Sequence, residues 1–302
     1  MRGYVPLLLV LAALWGSSFM FIKVAVDELA PTTTMGFRLA LSAIPLIALL
    51  VARHGWHKAW SDMRKITKPA LILGAVNTAV PFTLIAWGET KVDSGVAAIA
   101  NATVPIFVAA LAIHFRPAEK STGLRLLGIL LGIAGVAILA GVRPEGGWWG
   151  FVGTMAVVVA SFAYAIGTMY TQTLLVETEN LVLAAASIMW GAILLLPIGL
   201  AQAPSHFPSW KVVGSVAALA FLGTVIGQLL FFRLIFSYGS ARAALVVYLL
   251  PVTALFYGAL LLDEPITVQA IAGLVLILIG TALGSGVALR RRRQAEAVPA
   301  SP

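Results

Sequence analysis

The chain has 302 residues, of which 60% are hydrophobic and 11% charged, with a formal charge of +8 and a mean hydropathy of +0.98. A soluble domain carries about 25% charged residues, so there is too little polar surface here to keep a fold of this size dissolved. The positive balance does not describe a nucleic-acid binder, because the basic residues sit in short clusters between apolar runs; the absence of cysteine excludes disulfides, thiolate metal sites and cysteine nucleophiles.

A helix that crosses a bilayer needs about 20 mostly apolar residues, because its backbone must satisfy itself across the hydrocarbon. Ten segments meet that length: 4–26, 33–52, 69–88, 94–114, 123–141, 150–172, 181–202, 211–235, 241–262 and 268–289. The first begins like a signal peptide but runs too long for one and lacks a small-residue cleavage site, so it reads as a retained helix. It carries Trp15 and Ser18 three residues apart on one face, then Lys23 toward its outer end. Segment two has Arg38 in a similar position. Both cations are expected to snorkel to the interface, with Asp27, Glu28, Glu89 and Asp93 as alternative partners.

Segment three places Asn77 four residues before Pro81, and segment four places Asn101 four before Pro105. A helical proline frees a carbonyl that lipid cannot satisfy, so these faces should turn into the bundle or a wet cavity. Segment six carries Ser161, Tyr164, Thr168 and Thr171 at helical spacing; segment eight carries Thr224 and Gln228, and segment nine has Tyr248 just before Pro251. Together Trp15, Ser18, Asn77, Asn101, Tyr164, Thr168, Gln228 and Tyr248 are the candidate substrate-binding residues. For the hydroxyls the competing reading is a plain hydrogen bond between helices, worth about 0.6 kcal/mol. Trp87, Trp148, Trp149 and Trp210 stand near helix ends, where interfacial anchoring suffices. The Gly128/Gly132 and Gly280/Gly284 spacings read as close helix-packing faces.

Loop charge sets the expected orientation. Arg2, Arg53, Lys58, Arg64, Lys65, Lys68, Arg116, Lys120, Arg125, Arg233, Arg242 and Arg290 to Arg293 fall on one side; Lys91, Arg143 and Lys211 fall on the other. This puts both termini in the cytoplasm of a multi-pass protein of a bacterial-type inner membrane, with a basic, disordered tail at 290–302.

The chain also repeats itself. Pro105 corresponds to Pro251, Glu119-Gly128-Gly135 to Glu264-Gly273-Gly280 with the same spacings, and Leu73-Gly74-Ala75-Val76 to Leu222-Gly223-Thr224-Val225. The expected architecture is all-α and integral to the membrane, with ten transmembrane helices as two repeats of five, at 1–141 and 142–289. Five is odd, so the second copy enters from the opposite side, an inverted-topology repeat typical of transporters.

These halves, the Leu14-Trp15-Gly16-Ser17-Ser18-Phe19 run and the proline–acidic–glycine pattern closing each half resemble the drug/metabolite transporter superfamily, and within it the ten-helix EamA-type carriers, over about residues 5 to 288. The resemblance implies a transporter whose substrate passes between the halves, in a group that includes exporters of aromatic and other hydrophobic amino acids. The small multidrug exporters of that superfamily carry a glutamate in their first helix where this chain has Trp15 to Ser18, and no Asp or Glu falls in the middle third of any predicted helix. A neutral or zwitterionic solute suits such a pathway, and a broad-specificity exporter of lipophilic compounds is the alternative. His54, His57, His114 and His206 form no ligand-spaced cluster, and no nucleophile–base pair or phosphate loop is present, so neither an enzyme nor a cofactor is expected. The expected partners are a small-molecule substrate and the lipid bilayer, no nucleic acid, with a single chain sufficient for function.

Overall fold

The computed structural model describes residues 3–115, 123–140 and 147–284. Arg2, Arg116, Glu119, Lys120, Arg143, the tail from Arg290 to Pro302, the side chains of His114 and Arg125 and the surroundings of Gly284 therefore lie outside what is described. Every regular element among the described residues is helical: α1 (Tyr4–Ala25), α2 (Pro31–His54), α3 (Trp56–Lys65), α4 (Thr67–Gly74), α5 (Val80–Glu89), α6 (Ser94–Asn101), α7 (Val104–Phe115), α8 (Gly123–Ala140), α9 (Gly147–Leu174), α10 (Asn180–Ala201), α11 (Trp210–Ala218), α12 (Gly227–Tyr238), α13 (Ser240–Ala243), α14 (Val246–Leu261) and α15 (Val268–Gly284).

Seven continuous helical stretches are long and apolar enough to cross a membrane: Tyr4–Ala25, Pro31–His54, Thr67–Glu89, Ser94–Ala112, Gly147–Leu174, Asn180–Ala201 and Trp210–Tyr238. Three shorter apolar helices, Leu126–Ala140, Val246–Leu261 and Val268–Leu283, stand where the fifth, ninth and tenth segments are expected. Outward-facing apolar side chains such as Leu126, Leu130 and Ile133 keep about half their surface uncovered (52%, 56% and 58% exposed), as lipid-facing residues do.

Two of the spans are not plain α-helix. Between α4 and α5 the chain takes a π-helical turn over Ala75–Ala79, and between α11 and α12 another over Leu219–Ile226. These lie on the Leu-Gly-Ala-Val and Leu-Gly-Thr-Val runs that the internal repeat brings into register. A π-turn shifts the i→i−4 ladder by one residue and is frequently found at functional sites. The other departure from expectation is the basic connection from Arg53 to Lys68, which folds as the amphipathic helix α3. Ala59 and Met63 are buried beneath it, and Lys58 and Lys65 both pair with Asp62.

The most extensive helix pairings run between the repeats: α8 with α15, α2 with α10, α1 with α14 and α5 with α9. The pattern maps onto itself when the repeats are exchanged. Segment two faces its own counterpart seven, five faces ten, and the pairing of one with nine mirrors that of six with four. The core is thus an interface between the repeats, with a continuous cluster from Phe19, Met35 and Leu39 through Ala97 to Ile99, Val157, Ile188 and Leu219. The ends of the bundle are tied as well. Outside the spans, the Glu28 carboxylate accepts a hydrogen bond from Ser209 N–H at 2.7 Å, and hydrogen bonding from Ser209, its hydroxyl first and then its N–H, holds the carboxyl below its usual range.

Candidate functional site

The structure turns both cations expected at the interface toward protein partners, with Arg38 buried and Lys23 half-buried. Lys23 does not snorkel: its ammonium donates to the backbone carbonyls of Glu89 and Val92, each at 2.8 Å, where the turn between α5 and α6 leaves them unpaired. Arg38 is only 7% exposed. Its Nε donates to Thr224 Oγ1 at 3.0 Å, its Nη1 points at Met35 Sδ at 3.9 Å, and its guanidinium carbon lies 4.1 Å from the centroid of the Phe82 ring. The physical reason is the rotation of α2. Packing against α10 and against the π-turn of Leu219–Ile226 turns this face of α2 inward, so a side chain eight residues into the helix meets protein instead of headgroups.

Arg38 is the centre of a polar and aromatic cluster contributed by both repeats. Thr224 is held by the π-turn, its hydroxyl donating to Leu219 O at 3.0 Å, the carbonyl five residues back. The same turn leaves Gly223 O to accept Trp15 Nε1–H at 2.9 Å. Ser18 presses on Gly223: a Cβ there would stand 2.6 Å from Ser18 Oγ, so glycine lets α1 approach the turn. Ser18 Oγ itself donates to Leu14 O at 3.2 Å. Opposite, Tyr164 meets edge-on, at 6.4 Å, the Phe82 ring over which Arg38 stacks.

The other candidates fall elsewhere. Asn77 packs against Gly167 of α9, where a Cβ would be 2.8 Å from its Oδ1. Asn101 ends α6, and its carbonyl, freed by Pro105, lies 3.4 Å from Ser161 Oγ, whose strongest bond is to Val157 O at 3.0 Å. Thr168 and Gln228 are half-buried with no hydrogen bond among the described residues, and Tyr248 is half-buried in α14. The sequence-derived set is therefore divided, with Trp15, Ser18 and Tyr164 around Arg38 and the rest spread along the interface between the repeats. Sequence reasoning missed Arg38, Phe82 and Thr224 as one group. The one signal for them was the second Leu-Gly-Thr-Val landmark.

Glu89 is the acidic group within electrostatic reach of Arg38 and Lys23. It is fully buried, and neither carboxyl oxygen has a hydrogen-bond partner among the described residues. No group of three or more metal-ligating side chains occurs among the described residues.

The Arg38–Thr224 bond joins the repeats, so its loss has a defined expectation. Thr224→Val keeps the shape and removes the acceptor. It should lower stability by about 1–3 kcal/mol, the penalty for a buried donor left unpaired, read as a drop in melting temperature in detergent, and Thr224→Ser should restore most of it.

The arrangement is matched by comparison with known proteins. The profile of the EamA-like transporter family matches residues 3–141 and again 151–285. An uncharacterized transporter of Archaeoglobus fulgidus is 29% identical over 266 residues, spanning 88% of this chain and 92% of its own. A probable amino-acid metabolite efflux pump of Salmonella typhimurium is 27% identical over 289 residues, 92% of each chain, and the uncharacterized inner membrane transporter YedA of Escherichia coli K12 is 28% identical over 263 residues, 85% of this chain and 83% of its own. In three dimensions the chain resembles a crystal structure with a TM-score of 0.65 at 17% identity, covering 96% of this chain and 99% of the other, a likeness of fold. With both repeats matched and a buried polar cluster at their junction, the chain is a multi-pass membrane transporter of small molecules and belongs to the EamA-like transporter family.

Proposed function

We propose that this transporter exports neutral or zwitterionic metabolites, foremost hydrophobic and aromatic amino acids, by alternating access of two inverted repeats, residues 1–141 and 142–289, around one central site. The observation that supports it most is the cluster of Trp15, Ser18, Arg38, Phe82, Tyr164 and Thr224, built from both repeats deep between the helices. A site shared by the repeats changes shape whenever they rock against each other, and that is where transporters of this build place their substrate. The likeness to the probable amino-acid metabolite efflux pump of Salmonella typhimurium points the same way. The charge distribution in the loops supports cytoplasmic termini in an inner membrane, and one chain holds both repeats. Asn77, Asn101, Thr168, Gln228 and Tyr248 line the paths to the site in this scheme.

Counterflow in proteoliposomes tests it. Vesicles loaded with unlabelled L-phenylalanine, L-leucine or L-alanine should accumulate the labelled amino acid, and empty vesicles should not. Silence across the amino acids with accumulation of tetraphenylphosphonium would instead make the protein an exporter of lipophilic cations. A buried arginine without a paired carboxylate at the site opposes that outcome.

A further inference from the structure

The hydrogen-bonding capacity of the central cluster is unevenly spent. Trp15 Nε1–H is committed to Gly223 O, the Ser18 hydroxyl to Leu14 O, and the Thr224 hydroxyl to Leu219 O. Arg38 is different. A guanidinium carries five N–H donors in a planar fork, and here only Nε has an oxygen acceptor, Thr224 Oγ1. Nη1 has a thioether, a weak acceptor, and Nη2 has no partner among the described residues. No carboxylate among the described residues comes within ion-pair distance of it. The acidic group in electrostatic reach, Glu89, stays outside hydrogen-bonding contact.

A side chain 93% removed from solvent, oriented by Thr224 and by stacking on Phe82, thus presents the end of its fork with nothing to hold. A fork of that geometry matches a carboxylate, two parallel N–H···O bonds to two oxygens. An isolated ammonium cannot pair with it, and a lipophilic cation is repelled by it. The walls beside the fork are the rings of Phe82 and Tyr164, 6.4 Å apart and edge-on, which suit an apolar or aromatic substituent next to the carboxylate.

We infer that Arg38 is the anchor for a carboxylate of the transported solute, with Phe82 and Tyr164 receiving its apolar part, so that the site selects carboxylates over amines. This rests on the amino-acid reading above and narrows it: the carboxylate is the recognised end. Its partners Thr224 and Tyr164 belong to the second repeat and Phe82 to the first, so rocking of the repeats alters the grip on the carboxylate directly.

The test is competition in counterflow of labelled L-phenylalanine into proteoliposomes, with 3-phenylpropionate, which keeps the carboxylate and lacks the amine, and 2-phenylethylamine, which does the reverse. In the wild type, 3-phenylpropionate is expected to compete and 2-phenylethylamine is not. Arg38→Gln is expected to raise the KM for L-phenylalanine roughly ten- to a hundredfold, the loss of charge-assisted bonds; Arg38→Lys, a charge without the fork, recovers only part. Equal competition by the amine, or an unchanged KM in both variants, overturns the assignment. If Arg38→Gln fails to fold, the wild-type competition still decides, because an arginine that merely braced the helices would not distinguish the two competitors. If L-phenylalanine and the other amino acids are silent but labelled 3-phenylpropionate enters in an Arg38-dependent way, the amino-acid reading falls and the carboxylate site stands. Amino-acid transport indifferent to Arg38 gives the reverse, and transport of tetraphenylphosphonium alone removes both.

Discussion

Leucine in place of Gly280 is expected to yield no monodisperse protein. Gly280 of α15 lies against α8 so closely that a Cβ would stand 2.6 Å from Gly128 O, 2.7 Å from Gly132 N and 3.0 Å from Gly132 Cα. All three are backbone atoms, so no side chain can rotate aside; the two helices must part. One extra carbon in a packed core costs about 1–3 kcal/mol, which is the expectation for Gly280→Ala, read as a lowered melting temperature. Leucine adds three further carbons in the same place and should exceed what a membrane fold of typical stability tolerates, about 5–15 kcal/mol in all. Dispersion attraction between close helices replaces the missing hydrophobic drive in lipid, so separating α8 from α15 removes the very contacts that hold segment five to segment ten. Gly214 supplies the control. It is exposed on α11 with nothing within 4 Å of a Cβ, and Gly214→Ala should be neutral or stabilise by up to about 1 kcal/mol through helix propensity. Size-exclusion profiles of the three variants side by side check the claim; a monodisperse Gly280→Leu protein would mean that α8 and α15 do not meet as described.

That contact was legible as glycine spacing in the sequence, and so were the apolar spans, because both are local patterns. Arg38 was not. Counting residues from the start of segment two places it near a membrane interface, but its surroundings are set by Phe82, some forty positions away, and by Thr224 in the other repeat. Lys23 follows the same logic, since the carbonyls it caps belong to the turn that ends at Val92. The π-turns were equally hidden: Ala75–Ala79 and Leu219–Ile226 have ordinary helix-forming composition, and what marked them was their coincidence under the repeat, a feature that shows recurrence without its cause. The candidates that did gather, Trp15, Ser18 and Tyr164, share one property in the structure. Trp15 and Ser18 meet Gly223 of the second π-turn and Tyr164 meets Phe82 beside the first, whereas Thr168 and Gln228 lie one helical turn further on, four residues after Tyr164 and Thr224.

A second large effect is expected at Glu264, the acidic landmark of the second repeat. Its carboxylate crosses to the first repeat and accepts hydrogen bonds from Ser94 N–H at 2.9 Å, the Ser94 hydroxyl at 2.7 Å and Gly95 N–H at 3.3 Å. These are the first donors of α6, which the N-cap residue Asp93 does not satisfy with its own side chain. A negative group there also complements the helix dipole. The approach depends on Gly258, where a Cβ would collide with Glu264 Oε2. Glu264→Ala leaves two amides and a hydroxyl without acceptors, and the expected loss is about 1–3 kcal/mol. Glu264→Gln keeps one acceptor oxygen and should fall between. Because the link joins the repeats at the end of the bundle where α1 and α5 finish, losing it should also free that end to open. The chain has no cysteine, so a single Val96→Cys reporter on α6 gives a clean readout. Maleimide labelling of that cysteine should accelerate roughly tenfold when Glu264 becomes alanine, the shift that about 1.4 kcal/mol produces in an equilibrium. Labelling that stays slow while the melting temperature falls would limit Glu264 to capping α6, and the closure of that end would then rest on helix packing, including that of α6 and α1 against α14.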